Sequence, residues 1–167
     1  MVKIIKNVLN DDDLDYCYNF CNSVSDLELD GMEKEKDSQY KKKVIILSNS
    51  IKYKIFSILK ENYGLKCKMR NNWINIIKPG TNDNDGFHHD VSDASLIIYL
   101  NDDYQGGTFE YLDSNGETKI IKPVKNMGIL LSKNILHRVK PVIMGRRYSL
   151  ISFFYIDDDF VKQKSII

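Results

Sequence analysis

Apolar residues return at two different intervals along this chain, and the change of interval divides it. Leu14, Cys17, Tyr18, Cys21 and Val24 recur every three to four positions, the spacing of one helix face. Asn10 or Asp11 is placed to cap that helix, and Asp11, Asp12 and Asp13 bring negative charge to its positive end. Ile51, Ile55, Ile58, Leu59 and Asn62 predict a second helix, starting near Ser48 or Asn49 and ending at Gly64. Residues 2–9 read as a short strand ahead of the first helix. Residues 25–43 are polar, mixed in charge and without apolar period, which predicts a loop: a solvated connector, or a mobile lid over a site. Val44-Ile45-Ile46-Leu47 is apolar but too short to assign.

Beyond residue 65 the interval shortens. Segments 66–78, 94–101, 107–112, 117–122, 127–132 and 138–156 are runs of β-branched and aromatic residues. Pro79-Gly80, Asn101-Asp102, Gly106-Gly107, Ser114-Asn115-Gly116 and Gly145 punctuate them as turns. Two helices followed by many strands predict an α+β arrangement, mainly β, with the helices on one side of an antiparallel core. The length of 167 residues predicts one domain, with helical support over about 1–65 and the β core over about 66–157. There is no internal repeat.

Composition narrows the function classes. A chain that is 43% hydrophobic and 28% charged is an ordinary globular sequence, and a net charge of +1 gives no reason to expect nucleic acid or an anionic membrane as partner. No apolar run approaches the roughly 20 residues of a membrane-spanning helix, and Met1-Val2-Lys3-Ile4-Ile5-Lys6 does not begin a signal peptide. The expected setting is reducing and cytoplasmic. Three cysteines without a framework spacing agree, and Cys17 and Cys21 read as buried thiols of a helix face. The abundance of Ile, Lys, Asn and Asp fits an AT-rich coding sequence, as in many microbes and viruses.

Four polar residues carry the chemistry: His88, Asp90, His137 and Arg147. Side chains two apart on a strand share a face, so His88 and Asp90 point together while His89 points elsewhere. His137 is the only histidine outside that run. Two imidazoles and a carboxylate can occupy one face of a metal and leave the other open, the arrangement of non-haem iron oxygenases. Other divalent metals accept the same donors. The arginine ten positions after His137 tips the reading to iron, because a guanidinium fork matches a carboxylate cosubstrate. Tyr148, Leu150, Ile151, Phe153 and Phe154 place it on a central strand, where an arginine needs an anionic partner. Arg146 competes for that role, and strand parity sends it to the opposite side.

At these positions the sequence resembles the iron(II)- and 2-oxoglutarate-dependent dioxygenases, in the branch of the prolyl and lysyl hydroxylases. The resemblance runs from about Trp73 to Tyr155 through His88-x-Asp90, Tyr99-Leu100-Asn101, Gly106-Gly107, Pro123, Gly128, His137, Pro141-Val142, Gly145 and Arg147-Tyr148. It implies a double-stranded β-helix, or jelly roll, braced by two or more N-terminal helices. It implies Fe(II) on His88, Asp90 and His137, and 2-oxoglutarate with its distal carboxylate on Arg147. Tyr99 stands where some members share that contact with a phenol; a core tyrosine before a turn fits equally. The implied reaction hydroxylates a C–H bond, most simply of a prolyl or lysyl side chain in a peptide or protein, and releases succinate and CO2. Ascorbate is the expected reductant. The segment Ile76-Ile77-Lys78-Pro79 departs from the pattern, since many relatives carry a tyrosine there, and Lys78 is either an anion contact or a solvated strand end.

Three other readings stay open on sequence. The same chemistry could act on a free amino acid or another small molecule. The chain could be a metal-bound jelly roll that only binds a partner, or a zinc-dependent cupin-like enzyme without 2-oxoglutarate dependence.

Overall fold

The computed structural model describes residues 1–25, 41–43, 45–64, 67–80 and 86–156. The helices form where the periodicity predicts. Helix α1, Asp11–Asn22, is capped by Asn10, whose side chain accepts from the Asp13 N–H at 2.8 Å. Helix α2, Asn49–Tyr63, is capped by Ser48, and Ser48 also donates to Asp13 at 2.8 Å, which ties the two helix starts together. Gly64 ends α2 at φ 83°, a conformation L side chains rarely adopt.

The strands are β1 (Val2–Ile5), β2 (Lys41–Lys43), β3 (Cys67–Ile77), β4 (Ala94–Tyr99), β5 (Gln105–Gly106), β6 (Phe109–Leu112), β7 (Thr118–Ile121), β8 (Gly128–Ser132), β9 (His137–Val139), β10 (Val142–Met144) and β11 (Arg147–Ile156). A six-stranded sheet runs β1-β8-β4-β11-β3-β2, and every described pairing in it is antiparallel. Facing it are β10-β5 and β7-β6-β9. Alternation along the central strands feeds two cores. Leu96, Ile98, Tyr148, Leu150 and Phe154 pack with Leu14, Cys17, Ile51, Ile55 and Leu59 of the helices. Ile97, Tyr99, Phe109, Ile129, Leu131 and Val139 fill the space between the sheets. Each fully buried side chain of this size contributes roughly 1.5–3 kcal/mol of transfer free energy.

Several segments depart from expectation. The first strand stops at Ile5 rather than residue 9, because Asn7 turns the chain at φ 52° and Asn126 grips the segment beyond. The Asn126 side chain accepts from Leu9 N–H (2.8 Å) and donates to the Leu9 carbonyl (2.7 Å). Within the predicted loop, residues 26–40 lie outside the described residues, but Lys41–Lys43 pairs with Ile74–Ile76 of β3. An edge strand has no need of an apolar period. Of the short apolar run after it, Ile45 and Leu47 are buried and Ile46 is exposed, with no regular structure. The predicted 138–156 strand is three strands, since Pro141 interrupts one ladder and Gly145 turns at φ 79°.

Candidate metal centre

His88 and His137 meet across an isolated antiparallel bridge. The His88 N–H donates to the His137 carbonyl at 2.9 Å, and the His137 N–H returns the bond at 3.0 Å. The strand that parity predicts for His88 and Asp90 does not form: apart from that bridge, residues 86–93 carry no ladder. Asp90 reaches the histidines from irregular backbone just ahead of a bend at 91–93 instead. Ser95, at the start of β4, donates to its Oδ2 at 2.5 Å, and Ser92 lies 3.0 Å from the Ser95 hydroxyl. His89 is exposed.

The ring orientations suit metal ligation. Nδ1 of His137 lies 2.9 Å from the Ile135 carbonyl, and Nδ1 of His88 lies 3.3 Å from the Gly86 carbonyl. A proton on each Nδ1 leaves each Nε2 as a lone-pair donor. Nε2 of His137 is 3.7 Å from Oδ1 of Asp90. Ligand atoms of His88, Asp90 and His137 all lie within 4.8 Å of one another, the one such group of three among the described residues. One cation can touch all three. Phe109 stacks on His137 (5.4 Å between centroids, 19° between planes), and burial pushes the His137 imidazole below its ordinary pKa against the opposing pull of Asp90. The neutral ring is the form that binds metal. Beside the site, Arg138 pairs with Glu110 at 2.7 Å and lies 4.4 Å over the ring of Phe87, next to His88.

Arg147 opens β11 with 2% exposure, on the strand face that also carries Ser149 and Ile151, between the sheets. Arg146 goes the other way, donating to the Val24 carbonyl at 2.9 Å. Nη1 of Arg147 donates to the Gly107 carbonyl at a long 3.4 Å, and Nε has no hydrogen-bond partner among the described residues. Its guanidinium carbon lies 5.9 Å from the centroid of Tyr99, which is 1% exposed. Lys78 is half-buried at the end of β3.

Besides Tyr99, the structure gathers around Arg147 polar groups that the sequence reading passed over. Asn75, Ser149 and Tyr99 are register partners across β3, β11 and β4. Asn75 Oδ1, Ser149 Oγ and the Tyr104 hydroxyl are buried without partners among the described residues, and burial pushes the Tyr104 phenol up to about 12. Buried polar groups left unmet are rare in folded proteins. A guanidinium with donors to spare beside two free hydroxyls fits a carboxylate. Gly107 makes the close packing possible. At φ 63°, an added Cβ would lie 3.0 Å from the Tyr104 ring and 3.3 Å from Cδ of Arg147. Asn101 sets the strand start, accepting from the Tyr148 N–H at 2.8 Å and donating to the Arg146 carbonyl at 2.7 Å. No residue-type signal marks Asn75 or Ser149 in the sequence; register alone finds them.

Comparison with known proteins agrees with this geometry. The family described as "2OG-Fe(II) oxygenase superfamily" matches residues 74–155. A PKHD-type hydroxylase of Xylella fastidiosa (strain M12) is 39% identical over 67 residues, which are 39% of this chain and 28% of that protein. The chain thus aligns with less than a third of the length of such relatives. A prolyl hydroxylase of Trichoplax adhaerens, solved with a hypoxia inducible factor oxygen degradation domain peptide fragment, superposes with a TM-score of 0.73 at 14% identity, over 96% of this chain and 86% of that one. The viral collagen prolyl hydroxylase of Paramecium Bursaria Chlorella virus-1, solved with 2OG, gives 0.66 at 17% identity, over 93% and 96%. At such identities the likeness concerns the fold, and it bears out the helix-braced jelly roll.

Proposed function

The chain belongs to the 2OG-Fe(II) oxygenase superfamily, and from that premise we propose that it is a hydroxylase acting on a prolyl or lysyl side chain of a peptide or protein. One observation carries the reading. His88, Asp90 and His137 converge to within 4.8 Å, and Arg147 is buried between the same two sheets with hydrogen-bond capacity unmet.

In this reading His88, Asp90 and His137 hold Fe(II), and Arg147 with Tyr99 holds the distal carboxylate of 2-oxoglutarate. Bound there, iron and 2-oxoglutarate would supply O2-dependent hydroxylation of a C–H bond with release of succinate and CO2, with ascorbate as the reductant expected to keep the iron ferrous. The chain's own residues orient and exclude water. The Ile135 and Gly86 carbonyls fix the two imidazole rings, and Ser95 fixes the Asp90 carboxylate. Phe109 covers one face of His137, and the apolar residues between the sheets keep the interior dry. The Ser149 and Tyr104 hydroxyls stand ready to donate to the remaining oxygens of the cosubstrate.

The test is succinate release with Fe(II), 2-oxoglutarate and ascorbate, comparing wild type with His137→Ala. Turnover should vanish in the variant, and equal turnover in both removes the assignment. Mass spectrometry of candidate peptides should find the added mass of one oxygen atom on proline or lysine.

A further inference from the structure

Next to the metal centre lies a cavity of about 330 Å³ whose walls include Arg70, Trp73, His89, Asp90 and Phe153. Asp90 belongs to the ligand triad, so whatever fills the cavity lies against the metal centre. Trp73 and Phe153, on the adjacent strands β3 and β11, present a tilted aromatic pair with centroids 4.8 Å apart. Such a surface suits an aliphatic ring or short chain.

Arg70 is placed there by an irregularity in the sheet. The β3–β11 register steps from Phe153↔Asn71 to Phe154↔Met69, which leaves Arg70 as the unpaired residue of a bulge. Bulges re-aim side chains beside functional sites. The guanidinium is anchored at two points. Nη1 donates to the Val91 carbonyl at 2.5 Å, and its carbon lies 5.4 Å from the centroid of Tyr155. Neither contact neutralises it, and no carboxylate lies within ion-pair distance among the described residues. The other guanidinium N–H groups remain for a ligand.

We propose that this cavity is the substrate pocket, and that it takes an apolar ring or chain carrying a carboxylate, the apolar part on Trp73 and Phe153 and the carboxylate on Arg70. The proposal rests on the function argued above and adds the charge of the substrate. The carboxylate can come from a free amino-acid-like molecule or from an acidic residue beside the target in a peptide. Arg70 selects substrate; it takes no part in the oxidation.

Trp73 is the only tryptophan in the chain, so its fluorescence reports the pocket directly. The protein loaded with Mn(II) and 2-oxoglutarate is titrated with two matched pairs of probes. One is N-acetyl-L-proline and its primary amide; the other is acetyl-prolyl-aspartyl amide and its asparaginyl counterpart. The acid of at least one pair should bind about tenfold tighter than its neutral twin, as a charge-assisted contact at a half-open rim predicts. Which pair discriminates identifies the source of the carboxylate. The preference should shrink in high salt, disappear in Arg70→Met and return in part in Arg70→Lys. Equal binding of acid and amide in both pairs, no response to any probe, or a preference that survives Arg70→Met overturns the proposal. The acid–amide comparison uses wild type alone, so a poorly folding variant does not spoil it. Failure of wild type to release succinate while the acid preference holds would remove the oxygenase reading and leave the carboxylate pocket; the reverse pattern removes the pocket alone.

Discussion

Replacing Arg147 by Met should stabilise the ligand-free protein and remove most of its response to 2-oxoglutarate. The guanidinium is 2% exposed, makes one long bond to Gly107 and leaves Nε without a partner among the described residues. A buried charge so poorly compensated is worse than an apolar chain of similar length, and such replacements are neutral or stabilising by about 1–4 kcal/mol. We take the low end, about 1 kcal/mol, because Met gives up the bond to the buried Gly107 carbonyl and the contact with the Tyr99 ring; that raises Tm by about 2–4 °C in a chain of this size. Wild type at a hundred times its Kd for 2-oxoglutarate gains about 2.7 kcal/mol, or roughly 5–11 °C. Removing one partner of a buried charged pair weakens binding by about 3 kcal/mol, roughly 150-fold. At the same concentration the variant then gains only about 0.3 kcal/mol, a shift of about 1 °C. Thermal unfolding followed in Mn(II), with and without 2-oxoglutarate, reads both effects, with Arg146→Met as the companion variant. The reasoning fails if Arg147→Met keeps the ligand shift, if Arg146→Met loses it, or if Arg147→Met melts far below wild type without ligand.

Three further outcomes follow from contacts away from Arg147. Asn126→Ala strands the buried Leu9 N–H and carbonyl, and should cost about 2–4 kcal/mol in urea unfolding; a loss under half a kcal/mol would show that the N-terminal strand is held otherwise. Cys17 and Cys21 are 0% exposed and burial pushes the Cys17 thiol up to about 12, so a disulfide reagent should modify Cys67 first and these two only on unfolding; equal native rates contradict this. Lys133 and the Ile156 N–H hold the Asp93 carboxyl below its ordinary 3.8. Its contribution to stability is therefore present at neutral pH and lost as pH falls below about 4. Asp93→Asn should narrow the stability gap between pH 7 and pH 3, and an unchanged gap would show the pairing has no weight.

Local physics explains what the sequence made legible. Both helices were readable because Leu14, Cys17 and Cys21, and Ile51, Ile55 and Leu59, repeat at one period and begin at side-chain caps. Arg147 and Arg146 separate correctly by side because β11 keeps its alternation from its first residue. The joint facing of His88 and Asp90 was inferred through a strand that does not exist; irregular backbone and Ser95 achieve it, and neither has a period to read. Asn75 and Ser149 escaped notice because they become neighbours only through the pairing of β3 with β11, a long-range register. The same holds for Arg70, whose position depends on a one-residue slip between two paired strands. The short β2 was hidden because three lysines on a sheet edge look like a loop.

The reciprocal backbone bonds between His88 and His137 clamp the two chain segments that carry the imidazoles. The clamp dictates a distance and says little about identity. Borderline donors of this kind favour later transition metals over ferrous iron, so which cation occupies the protein will reflect cellular supply at least as much as its own shape.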